Sequence, residues 1–290
     1  NWFTKHRSLA MSIGFVGFSV GTFAIVPFLA ILIESENVGW KTTALGLTLF
    51  FPLLIIPITK IIKNTPEEIG EVPDGIKATL TVDNIPDQSV QIASSGFSLK
   101  DALKEKVFWY IAIGHGASAM LTSTMMVHLI LAFKHQGISL QTAAFIWGLA
   151  MGIGGVSQIL GGFLGDRTKK HVAVCVFGCI QAIGVSLAVL VTNTGTALIF
   201  AIVYGIGFGA RAPITTSMRG DYFGRKAFGK IMGVSAMSMM LMTMFGPIFA
   251  GRLFDLQGNY QNGFLILACI GFIGSLIFLL AKRPVPSKAK

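Results

Sequence analysis

Long apolar runs alternate with short polar clusters along the whole 290-residue chain. Eight runs are long enough to cross a bilayer, at about residues 8–33, 42–62, 107–133, 141–165, 171–191, 195–218, 228–254 and 261–281. A helix needs about 20 predominantly apolar residues to span hydrocarbon. In lipid every backbone N–H and C=O must be satisfied within the segment or a closed barrel. The runs therefore predict membrane-spanning α-helices, and the expected fold class is an all-α polytopic membrane protein.

The second and third runs are separated by the one long polar stretch, Asn64 to Lys106. Pro66, Pro73, Pro86, the Asp74-Gly75 pair and the Ser94-Ser95-Gly96 cluster mark most of it as an irregular linker. Its end differs. Ser98-Leu99-Lys100-Asp101 resembles a capping box with Asp in place of Glu, and predicts a short amphipathic helix on the membrane surface.

Composition agrees with the pattern: 53% of residues are hydrophobic, 12% are charged, and the mean hydropathy is +0.70. Soluble domains carry roughly 25% charged residues. The net charge of +10 does not point to nucleic acid, because the basic residues sit at the ends of apolar runs and not on one solvated face. They set orientation instead. Nineteen of the 23 Lys and Arg residues, Arg219 among them, fall in one set of connections, and only Lys41, Lys134 and Arg252 in the opposite set. By the positive-inside rule both ends of the chain and the linker face the cytoplasm. Trp40 and Tyr260 are then expected at the outer interface, and Trp2, Trp109, Tyr110 and Tyr222 at the inner one. Cys175, Cys179 and Cys269 lie inside apolar runs without further ligands at metal spacing, so they read as small packing residues. No metal site and no cofactor is expected.

An internal correspondence runs at a constant offset of 220 residues. Trp2-Phe3-Thr4-Lys5-His6 aligns with Tyr222-Phe223-Gly224-Arg225-Lys226, Pro27 with Pro247, Ala30 with Ala250 and Trp40 with Tyr260. The order of landmarks carries the match, since raw identity is near chance. The first two runs thus read as parallel copies of the last two. Under that offset the third run has its counterpart about 113 residues before Asn1, so four helices are expected ahead of this chain.

Gly162-Phe163-Leu164-Gly165-Asp166-Arg167-Thr168-Lys169-Lys170, between the fourth and fifth runs, resembles the cytoplasmic G-x-L-x-D-R-x-x-R/K signature of the major facilitator superfamily. Trp2-Phe3-Thr4-Lys5-His6-Arg7-Ser8-Leu9-Ala10, Gly39-Trp40-Lys41 and Pro66-Glu67-Glu68-Ile69-Gly70 resemble the monocarboxylate and oxalate/formate branch. The resemblance covers the whole chain. It implies two six-helix bundles around a central cavity, working by alternating access. Residues 1–63 would be the last two helices of the N-terminal bundle, 64–106 a cytoplasmic linker, 107–283 the C-terminal bundle and 284–290 a cytoplasmic tail. This copy departs from the family in lacking the first four of twelve helices.

The residues that carry chemistry are few. Arg211 reads as the one Lys or Arg well inside a span, about 12 Å from its inner end at 1.5 Å per residue. Placing a charge there costs at least ~2.5–3.5 kcal/mol on insertion scales. With no acid in any run, an anionic substrate is the natural counter-charge, held bidentately. The competing reading is an arginine that snorkels or bonds helix-end carbonyls. His115 lies at similar depth and, from the resemblance, meets Arg211 across the transport path. It either exchanges a proton or packs as a neutral histidine. Tyr204 is grouped with them as substrate-binding. Gly162, Gly165, Asp166, Arg167, Lys169 and Lys170 form the signature loop. Family pseudo-symmetry places Asp166 at the N-terminus of the first run, near Ser8 to Met11, as a gate; the other reading is a solvated turn that only sets topology.

The expected function is secondary transport of a small organic anion, monocarboxylate-like, coupled to a proton or a counter-anion, by a monomer in the plasma membrane surrounded by lipid. The alternatives are a non-transporting receptor or sensor, or a transporter of a neutral or other small solute. An enzyme would need clustered His or Asp/Glu within the spans, which the runs do not contain.

Overall fold

The computed structural model of the chain describes residues 7–35, 38–63, 66–70, 97–224 and 227–284. Eight of its helices are long and apolar enough to cross a membrane. They are α1 (Arg7–Glu34), α2 (Gly39–Ile61), α4 (Lys106–His135), α5 (Leu140–Arg167), α6 (Lys170–Val189), α7 (Thr194–Phe223), α8 (Phe228–Gln257) and α9 (Gln261–Ile277), the last prolonged by a 3-10 turn at Phe278–Leu280. All eight predicted runs are present. Residues 1–6, 71–96, 225–226 and 285–290 lie outside the described residues. With them go the leading aromatic-basic cluster, most of the linker, Arg225-Lys226 and most of the tail.

Capping chemistry sets several ends. The predicted surface helix is α3 (Leu99–Lys104), whose N-cap Ser98 accepts from Asp101 N at 3.2 Å and donates to Asp101 Oδ2 at 2.6 Å. Its apolar side buries Ala102, while Lys100, Asp101 and Lys104 stay exposed. Phe97 N donates to Phe223 O at 2.9 Å, which pins this segment to the end of α7. Ser139 caps α5, and Asn193 with Thr196 forms a capping box on α7.

Helix α7 runs past the end expected at 218 to Phe223, and Gly224 with φ 76° closes it. The charged cluster at Arg219–Asp221 suggested a connection. Each of those charges has a partner on a neighbouring helix, so the helix continues and Arg219 lies inside it at 2% exposure. Tyr260 and Tyr222 are buried and Trp40 is exposed. Tyr260 stacks on Phe254 at 4.4 Å, and its hydroxyl lies 3.2 Å from His128 Nδ1.

Helix α7 packs on α5 and α6, α4 packs on α8, and α9 lies against α4 and α6. Helix α1 lies along α5 and α7, and α2 packs on α1. Small residues set the closest approaches. A Cβ at Gly161 would collide with the Ala210 backbone, and one at Gly209 with the Gly154 backbone. Proline is also accommodated. Pro247 cannot donate to the Thr243 carbonyl one turn back, and Ser123 Oγ from α4 donates to that carbonyl at 2.8 Å instead.

Two apolar clusters result. One holds Phe133, Phe200, Tyr204 and Phe264, and the other Phe108, Met218, Phe223 and Phe278. Along α4, α6 and α7 the polar residues His115, Gln181 and Arg211 fall where one cluster ends and the other begins.

Gly161→Val should destabilise the protein by about 1–3 kcal/mol, the usual range for overpacking. Gly229→Val, at a position with nothing within 4 Å, should have a much smaller effect. Thermal unfolding of both variants in the same detergent checks this; equal losses would count against glycine-set packing of α5 on α7.

Candidate functional site: two buried arginines and a capped helix end

Helix α7 carries Tyr204, Arg211 and Arg219. Tyr204 and Arg211 are seven residues apart, two turns on one face. The Tyr204 ring stacks between Phe200 at 5.4 Å and Phe208 at 6.0 Å, beside Trp147. Its hydroxyl lies near Thr122 and Gln181 without hydrogen-bond geometry to either. Arg211 is 2% exposed and donates from Nε to Gln181 Oε1 at 3.0 Å. Gln181 in turn donates to Thr122 Oγ1 at 3.0 Å and to Ser118 O at 3.4 Å. Arg211 Nη1 is buried without a hydrogen-bond partner among the described residues.

Arg219 has neutral partners on three sides. Its Nε donates to Ser235 Oγ at 3.1 Å, Nη1 to Thr215 O at 3.5 Å and Nη2 to His115 Nδ1 at 2.9 Å. His115 therefore bonds Arg219 and not Arg211, because α7 continues far enough to bring the second arginine under α4. Among the described residues no carboxylate lies within 4.0 Å of either guanidinium.

The structure thus joins Arg211 and Tyr204 through the neighbourhood of Gln181, and separately joins His115 to Arg219. Arg219 was missed in the sequence because it was counted as a topology marker. The apolar Tyr222-Phe223 beyond it was the available signal that the helix goes on. Gln181 was missed as an uncharged residue in an apolar run, where a lone amide is itself a signal of a buried polar contact.

At the end of the bundle where α5 meets α6, Asp166 reaches the start of α1. Its Oδ1 accepts from Ser8 N at 3.2 Å and Oδ2 from Leu9 N at 3.3 Å. A carboxylate on the first-turn amides satisfies two orphan donors and complements the helix dipole. Gly162 and Gly165 permit the approach. A Cβ on Gly162 would meet Ser12 Oγ at 2.6 Å, and one on Gly165 would meet Ile214 Cγ1 at 2.8 Å and Ser8 Oγ at 3.3 Å. Lys170 bonds Asp221, donates to Ser217 Oγ at 3.2 Å and lies 3.8 Å from Asp166. Ser217 Oγ is 2.6 Å from Ser8 Oγ. One network therefore ties α1 to α5, α6 and α7. Arg167 instead lies over the Phe163 ring at 3.6 Å, and Lys169 is exposed.

The sequence model described as Major Facilitator Superfamily matches residues 1–210 and 173–290. The chain belongs to the Major Facilitator Superfamily. Curated relatives within reach include mouse Monocarboxylate transporter 11, 24% identical over 99% of this chain and 62% of that protein. Monocarboxylate transporter 12 of Xenopus laevis is 25% identical over 97% of this chain and 63% of its own length. The Hexuronate transporter of Escherichia coli K12 is 23% identical over 98% and 67%. The chain spans about three-fifths of the length of the monocarboxylate transporters it matches. Among solved structures, the outward-conformation transporter FucP superposes with a TM-score of 0.52 at 16% identity, covering 71% of this chain and 49% of that one. A bacterial homologue of human lysosomal Spinster, inward-facing and unoccupied, gives 0.52 at 16% identity over 97% and 67%. These likenesses show the major facilitator fold.

Removing a helix-capping carboxylate costs about 0.5–2 kcal/mol, a factor of several in a local opening equilibrium. Asp166→Ala should therefore speed the reaction of a hydrophilic maleimide with Ser12→Cys, at a fully buried position, at least threefold. Equal labelling rates with and without the Asp166 carboxylate would show that the cap does not hold α1 in place.

Proposed function

We propose that this chain is part of a secondary transporter that moves small organic anions by alternating access, with Arg211 holding the anionic group. One observation carries the proposal: two guanidiniums lie buried in an apolar bundle, and among the described residues neither has a carboxylate beside it. An unpaired buried charge is expensive. A transported anion supplies the missing counter-charge, and the unpartnered Arg211 Nη1 offers it a donor. Gln181 fixes the guanidinium through Nε, and Tyr204 presents an unpaired hydroxyl beside it. The names of these relatives support the same chemistry, since monocarboxylates and hexuronates both carry a carboxylate.

In this reading α1 and α2 belong to one bundle and residues 107–283 to the other, joined by the linker. The basic connections face the cytoplasm. Asp166 on the α1 amides then holds the cytoplasmic side shut in one state and lets go in the other. A proton or a counter-anion drives the cycle.

Proteoliposomes carrying the protein should accumulate labelled lactate, pyruvate or galacturonate. Hydrogen bonds to charged groups contribute about 1.5–3 kcal/mol, so Arg211→Ala should lower uptake by at least tenfold, with partial recovery in Arg211→Lys. Absence of uptake for every anion tried would remove the transport proposal, and full uptake by Arg211→Ala would remove Arg211 from the site.

A further inference from the structure

The contact between His115 and Arg219 has a chemical direction. A guanidinium has five N–H donors and no acceptor. The imidazole nitrogen that faces Arg219 Nη2 at 2.9 Å must therefore be the acceptor. That puts the single ring proton on Nε2 and leaves His115 neutral. An imidazolium has no lone pair to offer. Protonating Nδ1 would set N–H against N–H and one positive charge against another. While the contact lasts, Arg219 and a proton on Nδ1 exclude each other.

Among the described residues the surroundings contain nothing else that would change this balance. The charged groups acting on His115 are Arg219 and Arg211. The residues packed on its neighbours Gly114 and Gly116 are Phe278 and Gly274 from one side and Met242 and Ser238 from α8, all uncharged. From α6, Gln181 reaches Ser118, one turn along α4. Among the described residues, no carboxylate lies within 4.0 Å of His115. Arg219 is also the better held of the two arginines, yet its partners among the described residues are all neutral. An anion brings a charge opposite to that of the guanidinium, an attraction that these neutral partners lack.

We propose that His115 binds the coupling proton and that Arg219 controls its access: an anion that draws the Arg219 guanidinium onto itself frees Nδ1, which then takes up one proton. This rests on the anion reading given above. The step balances simply. One N–H bond forms at Nδ1, the proton comes from solvent, and no other covalent bond changes. A carboxylate arriving beside the ring also favours its charged form. In reverse, loss of the proton restores the acceptor, Arg219 returns to it, and the anion is released. Anion and proton then move together, as in a symporter.

The test is the proton stoichiometry of binding. Calorimetric titration of lactate into the protein in lipid nanodiscs, in phosphate and in Tris near neutral pH, should give uptake of about one proton per anion. His115→Asn places an amide oxygen where Nδ1 stands, keeps the contact with Arg219, and should bind lactate with no proton uptake. Nitrogen-15 NMR of the unsubstituted protein supplies an independent readout. The His115 ring should be the Nε2–H tautomer alone and doubly protonated at saturating lactate. Lactate binding without proton uptake, or uptake that persists in His115→Asn, overturns this inference and leaves the anion reading standing. Failure to bind lactate, pyruvate and galacturonate alike overturns both.

Discussion

Lipid offers no hydrogen bonds, so a polar group in this bundle is costly unless it finds a partner inside the protein. That constraint explains features which otherwise look unrelated. Ser123 is bonded to the carbonyl that Pro247 orphans. Gln158 reaches Ser19 across the α1–α5 contact at 2.9 Å. Asp166 sits on the free amides of α1 rather than in water. Gln181 ties Arg211 to α4. Each places a polar atom where an unmet one would cost several kcal/mol.

Set against this background, the two arginines stand out for what their partners are. Arg211 and Arg219 are held by an amide, a hydroxyl, a carbonyl and an imidazole, and among the described residues by no carboxylate. Their geometry is fixed while their charge is left over. In the proposed reading that leaves room for an anion, whereas in a structural ion pair a carboxylate of the protein would compete with the cargo. The contrast with Lys170 is direct: it has Asp221 and Asp166 beside it, and it serves to join helices.

The glycines do a different job in the same bundle. Gly161 and Gly209 bring the backbones of α5 and α7 together, and Gly162 brings α5 onto α1. With so little side-chain volume between them, α1, α5 and α7 lie in close contact, and the Asp166 network forms where they meet. The signature motif, whose glycines and acid lie in the last turns of α5, thus combines two devices. Its glycines allow the approach and its acid fastens it.

Most of the fold was legible along the chain. Eight apolar runs became eight helices because hydrophobic length is a local property that lipid reads directly. The Ser98 cap was visible for the same reason, since its partner lies three residues away. Membership of the family was carried by the short loop around Asp166 together with the order of the spans. What the sequence could not decide was which charges are solvated. Arg219 read as one of many basic residues marking orientation, and only the packing of α4 and α8 over α7 turns it into a buried donor to His115 and Ser235. Likewise Gln181 acquires meaning only when α6 packs against α7 beside Arg211, 30 residues away in sequence. Burial and pairing depend on contacts between distant segments, and those are set by tertiary structure alone.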